Sequence, residues 1–377
     1  MAKIALQYRA LNYYGRIRDA ELPVTASMTF FATSYKEIED PAMIQFVLKS
    51  RPFIVAVTAT VFSAFCYTSL AAPVETSHAG GNASRLGLRI IQSGHSLTDP
   101  IPPLLRAFAI SAGASPDVII DRSTIPGSPM DYRWEHVPYP PMPNARTAIG
   151  NYDLLVLTER SSLSGTMQWH NSASEALRWF EHAHAQGAGG KGAETILYST
   201  WVEIVSGPGY ENPYNDPEAH IPWRDRLPLE FARWIEIADF VNSNLPDGAA
   251  PMQIIPATLV LAAAYDDIVA GKAPGLSDIQ QLFSDDIHLN DAGAYLVSLA
   301  HYAVIYDLDP RGLPNHIDQQ ATVPKDMAAW MQDLVRDVVG SYQSAARQRY
   351  EPGAELTTEQ FHACIWEDLR RNSVPCA

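Results

Sequence analysis

The sequence predicts an α/β fold in which five parallel strands form one central sheet with helices on both faces, followed by extra helices at the C-terminus. Two observations carry this. Five short runs are apolar almost without a break, as strands buried on both faces are, and they alternate with longer segments of helical periodicity. The composition agrees, because 377 residues that are 47% hydrophobic and only 18% charged describe a globular chain with room for one decorated α/β domain. No self-similarity at 20–50 residues is present, which disfavours solenoids and propellers.

The first strand is LGLRIIQS, residues 86–93, and it stops at Gly94. A helix follows, with Asp99 as N-cap and Pro100 at the first helical position ahead of IPPLLRAFAISAG. The second strand is PDVIID at 116–121, the third YDLLVLT at 152–158, the fourth ETILYST at 194–200 and the fifth MQIIPATLV at 252–260. Helical patterns lie between them at 172–186 and 227–245. The C-terminal stretches 324–349 and 357–372 are also helical, the second opening with a capping-box pair, Thr357 and Gln360. This tail, from about residue 311, is expected to be packing structure around a domain spanning 86–310.

Upstream, residues 43–72 carry an export pattern. Lys49 and Arg51 precede an apolar run that ends at Leu70, Ala71 and Ala72, as in a secretory signal peptide. Met43 is then the expected start, residues 1–42 a mis-assigned upstream segment or disordered, and residues 73–85 a linker. The mature protein would be secreted or periplasmic without stable membrane insertion. An uncleaved membrane anchor stays open, since the run approaches the roughly 20 residues of a span. A lipoprotein at Cys66 is disfavoured by bulky Phe65. Once the signal leaves, Cys364 and Cys376 are the only cysteines, and either a terminal disulfide or two free thiols fits.

The net charge of −15, without a Lys/Arg run, argues against a nucleic-acid partner. Two segments read as insertions on the functional edge: the Pro/Tyr-rich 133–145 and the aromatic 206–225. In open α/β sheets ligands bind beyond the C-terminal strand ends, so aromatic loops there suit sugar rings, although plain packing is the alternative.

The chemistry sits in two places. Gly94-His95-Ser96-Leu97 closes the first strand just before a helix, where a tight turn at Gly94 would set Ser96 among free backbone N–H groups able to hold an oxyanion. Far downstream, Asp285 stands three residues before His288, immediately ahead of a helix capped by Asn290 or Asp291. One turn can present both side chains, with the carboxylate holding one ring nitrogen and the other nitrogen free to take a serine proton.

Together these segments resemble the GDSL-type serine esterases of the SGNH hydrolase family. Gly94-His95-Ser96-Leu97 is similar to that family's first block, with His95 where Asp is usual, and Asp285-Ile287-His288-Leu289 is similar to its last. The resemblance covers about residues 86–308 and implies a flavodoxin-like three-layer α/β/α fold, a Ser96–His288–Asp285 triad, an acyl-enzyme and no cofactor or metal. It also implies oxyanion donors: the Ser96 amide, Gly127 as the glycine after the second strand, and an asparagine after the third. There the sequence departs, reading Thr158-Glu159-Arg160-Ser161, so Asn171 is the nearest candidate. One missing donor costs about 3 kcal/mol of transition-state stabilisation.

His95, Glu159, Trp201 and Glu203 are expected to bind substrate by their places at the strand ends, with a Glu159–Arg160 surface ion pair as the plainer reading of Glu159. His170, His182 and His184 lie on or near one helix, and no metal site is expected there. An α/β-hydrolase elbow is disfavoured because Thr98 stands where that motif needs glycine. The expected activity is hydrolysis of an ester, an O-acyl or acetyl group on a carbohydrate. An O-acyltransferase with the same triad and a non-catalytic glycan-binding protein are the alternatives, and oligomeric state is left open.

Overall fold

The computed structural model of the protein describes residues 83–210, 216–350 and 356–371. The candidate signal segment, residues 1–42, nearly all of the linker and Cys376 lie outside them. Cys364 is disulfide-bonded. Among the described residues no helix is long and apolar enough to cross a membrane.

Five parallel strands form the sheet: β1 Ile90–Gly94, β2 Ile120–Thr124, β3 Leu154–Leu157, β4 Glu194–Tyr198 and β5 Gln253–Ile255. Their order is β2-β1-β3-β4-β5, the flavodoxin-like arrangement, which reverses direction between β1 and β3. Every residue of β1 and β3 is buried, because helices cover both faces. On one side α1 (Ile101–Ser111) packs with α6 (Asp291–Tyr306), and on the other α3 (Ser172–Gly190) packs with α4 (Trp223–Asn242). This is the three-layer α/β/α fold.

Between these elements run a short helix α2 (Met130–Glu135) after β2 and α5 (Ala257–Val269) after β5. A two-stranded hairpin, β6 His316–Ile317 with β7 Ala321–Thr322, leads into α7 (Lys325–Tyr350) and α8 (Thr358–Arg371). Helix α6 is buried from Gly293 to Tyr306, which demands a third neighbour beyond the sheet and α1. Helix α7 supplies it, covering α5 and α6, with Gln332 Nε2–H donating to Tyr295 Oη at 2.7 Å. Helix α8 opens with the reciprocal Thr357–Gln360 bonds of a capping box.

Several boundaries differ from the sequence expectation, for local reasons. The second strand starts at Ile120 because Ser115 closes a turn over Asp117 and Val118. The fifth stops at Ile255, since Pro256 has no N–H for the ladder and ATLV begins α5. Asp99 does not cap α1, whose N-cap position is Pro100; its carboxylate instead accepts from the Thr124 hydroxyl at 2.6 Å and pairs with Arg122 at 3.1 Å. The expected 172–186 helix is α3, whose backbone leaves the helical region at Gly187. Trp223 belongs to the first turn of α4 instead of an exposed loop, its indole N–H bonded to the Val202 carbonyl at 2.9 Å.

Candidate active site

The C-terminal strand ends gather the site. Beyond Gly94 the chain makes a tight turn in which Thr98 N–H donates to His95 O and Asp99 N–H to Ser96 O. Glycine is required at 94: a Cβ there would lie 2.0 Å from Thr98 Oγ1. Ser96, half-buried, stands at the crest of this turn, next to the reversal point of the sheet.

Its partner comes from a loop locked on several sides. The Ser284 amide donates to His288 O at 2.8 Å, and Phe283 bridges Leu289. Trp201 Nε1–H donates to Ile287 O at 2.8 Å, and the Ile204 amide to Asp286 O at 2.8 Å. Two residues after His288, the Asn290 side chain caps α6 through the Ala292 and Gly293 amides. Gly293 allows that approach, since a Cβ there would sit 2.2 Å from the Leu282 carbonyl oxygen.

The loop therefore holds His288 in one orientation. Its Nε2 lies 2.8 Å from Ser96 Oγ, and its Nδ1 lies 2.7 Å from Asp285 Oδ2. An ionised carboxylate only accepts, so Nδ1 carries the proton and Nε2 is left to accept from the serine hydroxyl. Desolvation pushes the Asp285 carboxyl upward, but the His288 and Ile287 amides on Oδ1 and the imidazole on Oδ2 outweigh it and hold the carboxyl below its ordinary range. The His288 and Asp285 side chains are 41% and 55% exposed, so the dyad opens to water.

Behind this pair lies a buried network. His95 is 3% exposed; its Nε2–H donates to Glu159 O at 3.0 Å and its Nδ1 accepts from the Leu97 amide at 3.4 Å. Burial, with the Arg133 charge nearby, lowers its pKa to about 3 and keeps it neutral. Arg133 on α2 is buried and reaches three strand ends: Ser93 Oγ of β1 at 3.2 Å, the Ser128 carbonyl after β2 and the Thr158 carbonyl after β3. Desolvation lowers its pKa to about 10, against the pull of Glu159 and Asp131. Glu159 is fully buried and accepts from the Met130 amide at 3.0 Å and the Arg160 amide at 2.7 Å. Burial raises its pKa, and the Arg133 charge with those amides pulls it back.

Of the expected substrate residues, His95, Glu159 and Trp201 thus face inward: sequence places a residue at a strand end but cannot tell which way it turns. Glu203 is partly buried, with Oε2 shielded and without a partner among the described residues. Gly127 has a left-handed backbone (φ +62°) in an exposed turn, next to the Ile125 amide that donates to Gly94 O. The Ser96 and Gly127 amides donate no hydrogen bond within the described residues. Asn171 occupies the N-cap position of α3 in the left-handed region, its side chain exposed and making no cap bond. His170 contacts Asp131 and His182 contacts the Arg146 carbonyl. Arg133 escaped the sequence reading inside the Pro/Tyr-rich loop, although Pro129 followed by Asp131 was a helix-start signal.

The third and fourth strand loops are clamped together. Asp216 accepts from Ser162 Oγ at 2.6 Å and Ser164 Oγ at 2.5 Å and pairs with buried Arg226 on α4, while the Leu163 amide donates to Glu230 Oε1 at 2.8 Å. Burial raises the Glu230 carboxyl to about 7.

No family model matches the chain, and no curated protein matches it. Two solved structures do. A DUF4886 family protein from Bacteroides uniformis aligns with a TM-score of 0.50 at 13% identity, over 67% of this chain and 94% of that one. An acetyl xylan esterase aligns with a TM-score of 0.35 at 16% identity, over 58% and 99%. At 13% identity the first likeness is one of fold.

Proposed function

We propose that the protein is a serine ester hydrolase of the SGNH type, acting on an O-acyl group, acetyl being the simplest, carried by a carbohydrate. The observation that supports this is the unbroken hydrogen-bonded line from Ser96 Oγ through the His288 ring to Asp285, assembled from segments 192 positions apart in the chain.

In this reading His288 Nε2 takes the proton of Ser96 as Oγ attacks the ester carbonyl. The negative charge that develops on the carbonyl oxygen is met by the Ser96 and Gly127 amides, with the Asn171 side chain as candidate third donor. Collapse breaks the bond to the alcohol, which leaves with the proton from His288 and leaves an acyl group on Ser96. Water then attacks the acyl carbon, gives a proton to His288, and the acid departs as Oγ recovers its hydrogen. Asp285 keeps the ring oriented and stabilises the imidazolium. The openness of His288 and Asp285 to solvent favours water over a sugar hydroxyl as acceptor, and hence hydrolysis over acyl transfer. An intact triad speaks against a role in binding alone. The apolar segment that follows Met43 fits an export signal, which would place the enzyme outside the cytoplasm with extracellular or periplasmic glycans as substrates.

The test is p-nitrophenyl acetate hydrolysis by the wild type and by Ser96→Ala. The expected result is loss of turnover by at least about 10³-fold in the variant; equal rates would refute the triad.

A further inference from the structure

The loops that follow β2 and β3 carry large side chains that the mechanism does not use. Tyr132, Tyr139 and Trp169 are 45%, 68% and 75% exposed, and among the described residues Phe240 is the one other aromatic with comparable exposure.

Specific contacts tie the loops that carry them. His170 Nδ1 lies 2.9 Å from Asp131 Oδ2, which joins the segment bearing Trp169 to the helix bearing Tyr132. Tyr132 stacks on His136 at 3.7 Å with an interplanar angle of 5°. Tyr139 opens the turn that Met142 closes. Met142 Sδ is 3.5 Å from Thr124 Oγ1, and that hydroxyl donates to Asp99, whose own amide bonds the Ser96 carbonyl. The turn that bears Tyr139 is therefore tied to the nucleophile's turn, and the loops that follow β2 and β3 lie at the same edge of the sheet.

We propose that Tyr139, Trp169 and the Tyr132–His136 stack form a carbohydrate-binding platform, which holds sugar units flanking the acylated one and makes the enzyme select oligomers over small esters. This rests on the esterase reading for its placement beside Ser96. The chemistry is that of sugar recognition: flat rings offer faces to axial C–H groups, while Asp131, His136 and His170 set hydrogen-bonding atoms between them. A lipid surface fits less well, because Val137 is the lone large aliphatic residue with high exposure in these two loops.

The experiment compares kcat/KM for O-acetylated xylotetraose or cellotetraose with that for the corresponding acetylated monosaccharide. In Trp169→Ala and in Tyr139→Ala the tetrasaccharide-to-monosaccharide ratio should fall about tenfold through KM, the factor for one stacking contact of about 1.4 kcal/mol. Phe240→Ala, on α4 and outside both loops, serves as the control and should leave the ratio as in the wild type. An unchanged ratio in both loop variants would overturn the proposal, as would vesicle binding that disappears with the same substitutions. Binding of the tetrasaccharides to Ser96→Ala, followed by quenching of tryptophan fluorescence and compared with Ser96→Ala/Trp169→Ala, tests the platform even if the hydrolysis reading fails. Absence of binding by either sugar also overturns it.

Discussion

Replacing Arg133 with methionine keeps the aliphatic reach of the side chain and removes its charge and donors. In the wild type the guanidinium satisfies the Ser128 and Thr158 carbonyls, both buried, and lies close enough to Glu159 to pull its pKa down without a direct ion pair. Two orphaned buried carbonyls cost about 1–3 kcal/mol each, so the loss should be about 2–6 kcal/mol. The pH dependence has a definite sign. Without Arg133 the Glu159 pKa rises further above its unfolded value; a carboxyl raised in this way favours the fold at acid pH and loses that contribution as pH rises through the folded pKa. Urea unfolding of Arg133→Met should therefore show a larger deficit at pH 8 than at pH 5, and adding Glu159→Gln should remove most of that difference. A deficit under about 1 kcal/mol, or one equal at both pH values, would refute the role given to the network.

Two further outcomes follow from the site. Asp285→Asn keeps the shape of the loop but removes the acceptor that fixes the His288 tautomer, and kcat on p-nitrophenyl acetate should fall about 10³–10⁴-fold with KM little changed. Glu230 has a folded pKa of about 7, raised by burial from an ordinary 4.5, so its stabilising contribution is complete below about pH 4.5 and is lost as pH rises through 7. Glu230→Gln, whose amide oxygen can still accept from Leu163, should match the wild type in urea at pH 4.5 and exceed it by about 3 kcal/mol at pH 8.

The hydrogen-bonded line Ser96–His288–Asp285 was legible in the sequence because its parts are local. A serine after an apolar strand and an Asp-x-x-His ahead of a capped helix are each fixed by a few neighbours, and the parallel topology brings strand ends to one edge. Orientation was not legible. Glu159 and Trp201 stand at strand ends where solvent-facing residues are common, yet they turn inward to hold the Met130 amide and the Ile287 carbonyl, and only long-range packing decides that. His95, expected at the substrate by its place at a strand end, instead braces the turn against the Glu159 carbonyl. Arg133 was hidden because its three partners lie 5 to 40 positions away, on separate strand ends. The fifth strand ends at Ile255, short of the expected residue 260, because Pro256 has no N–H for the ladder.

The burial of α6 bears on how the chain can be shortened. The imidazole is mounted at the entrance of that helix, and the helix owes its dry outer face to α7. A chain ended near Leu313 would keep Ser96, Asp285 and His288 but wet Tyr295 and the apolar flank around it, so the placement of the imidazole would deteriorate although none of the three had been touched. Helix α7 thus acts as scaffolding for an imidazole that precedes it, and shortened versions of the protein should retain it.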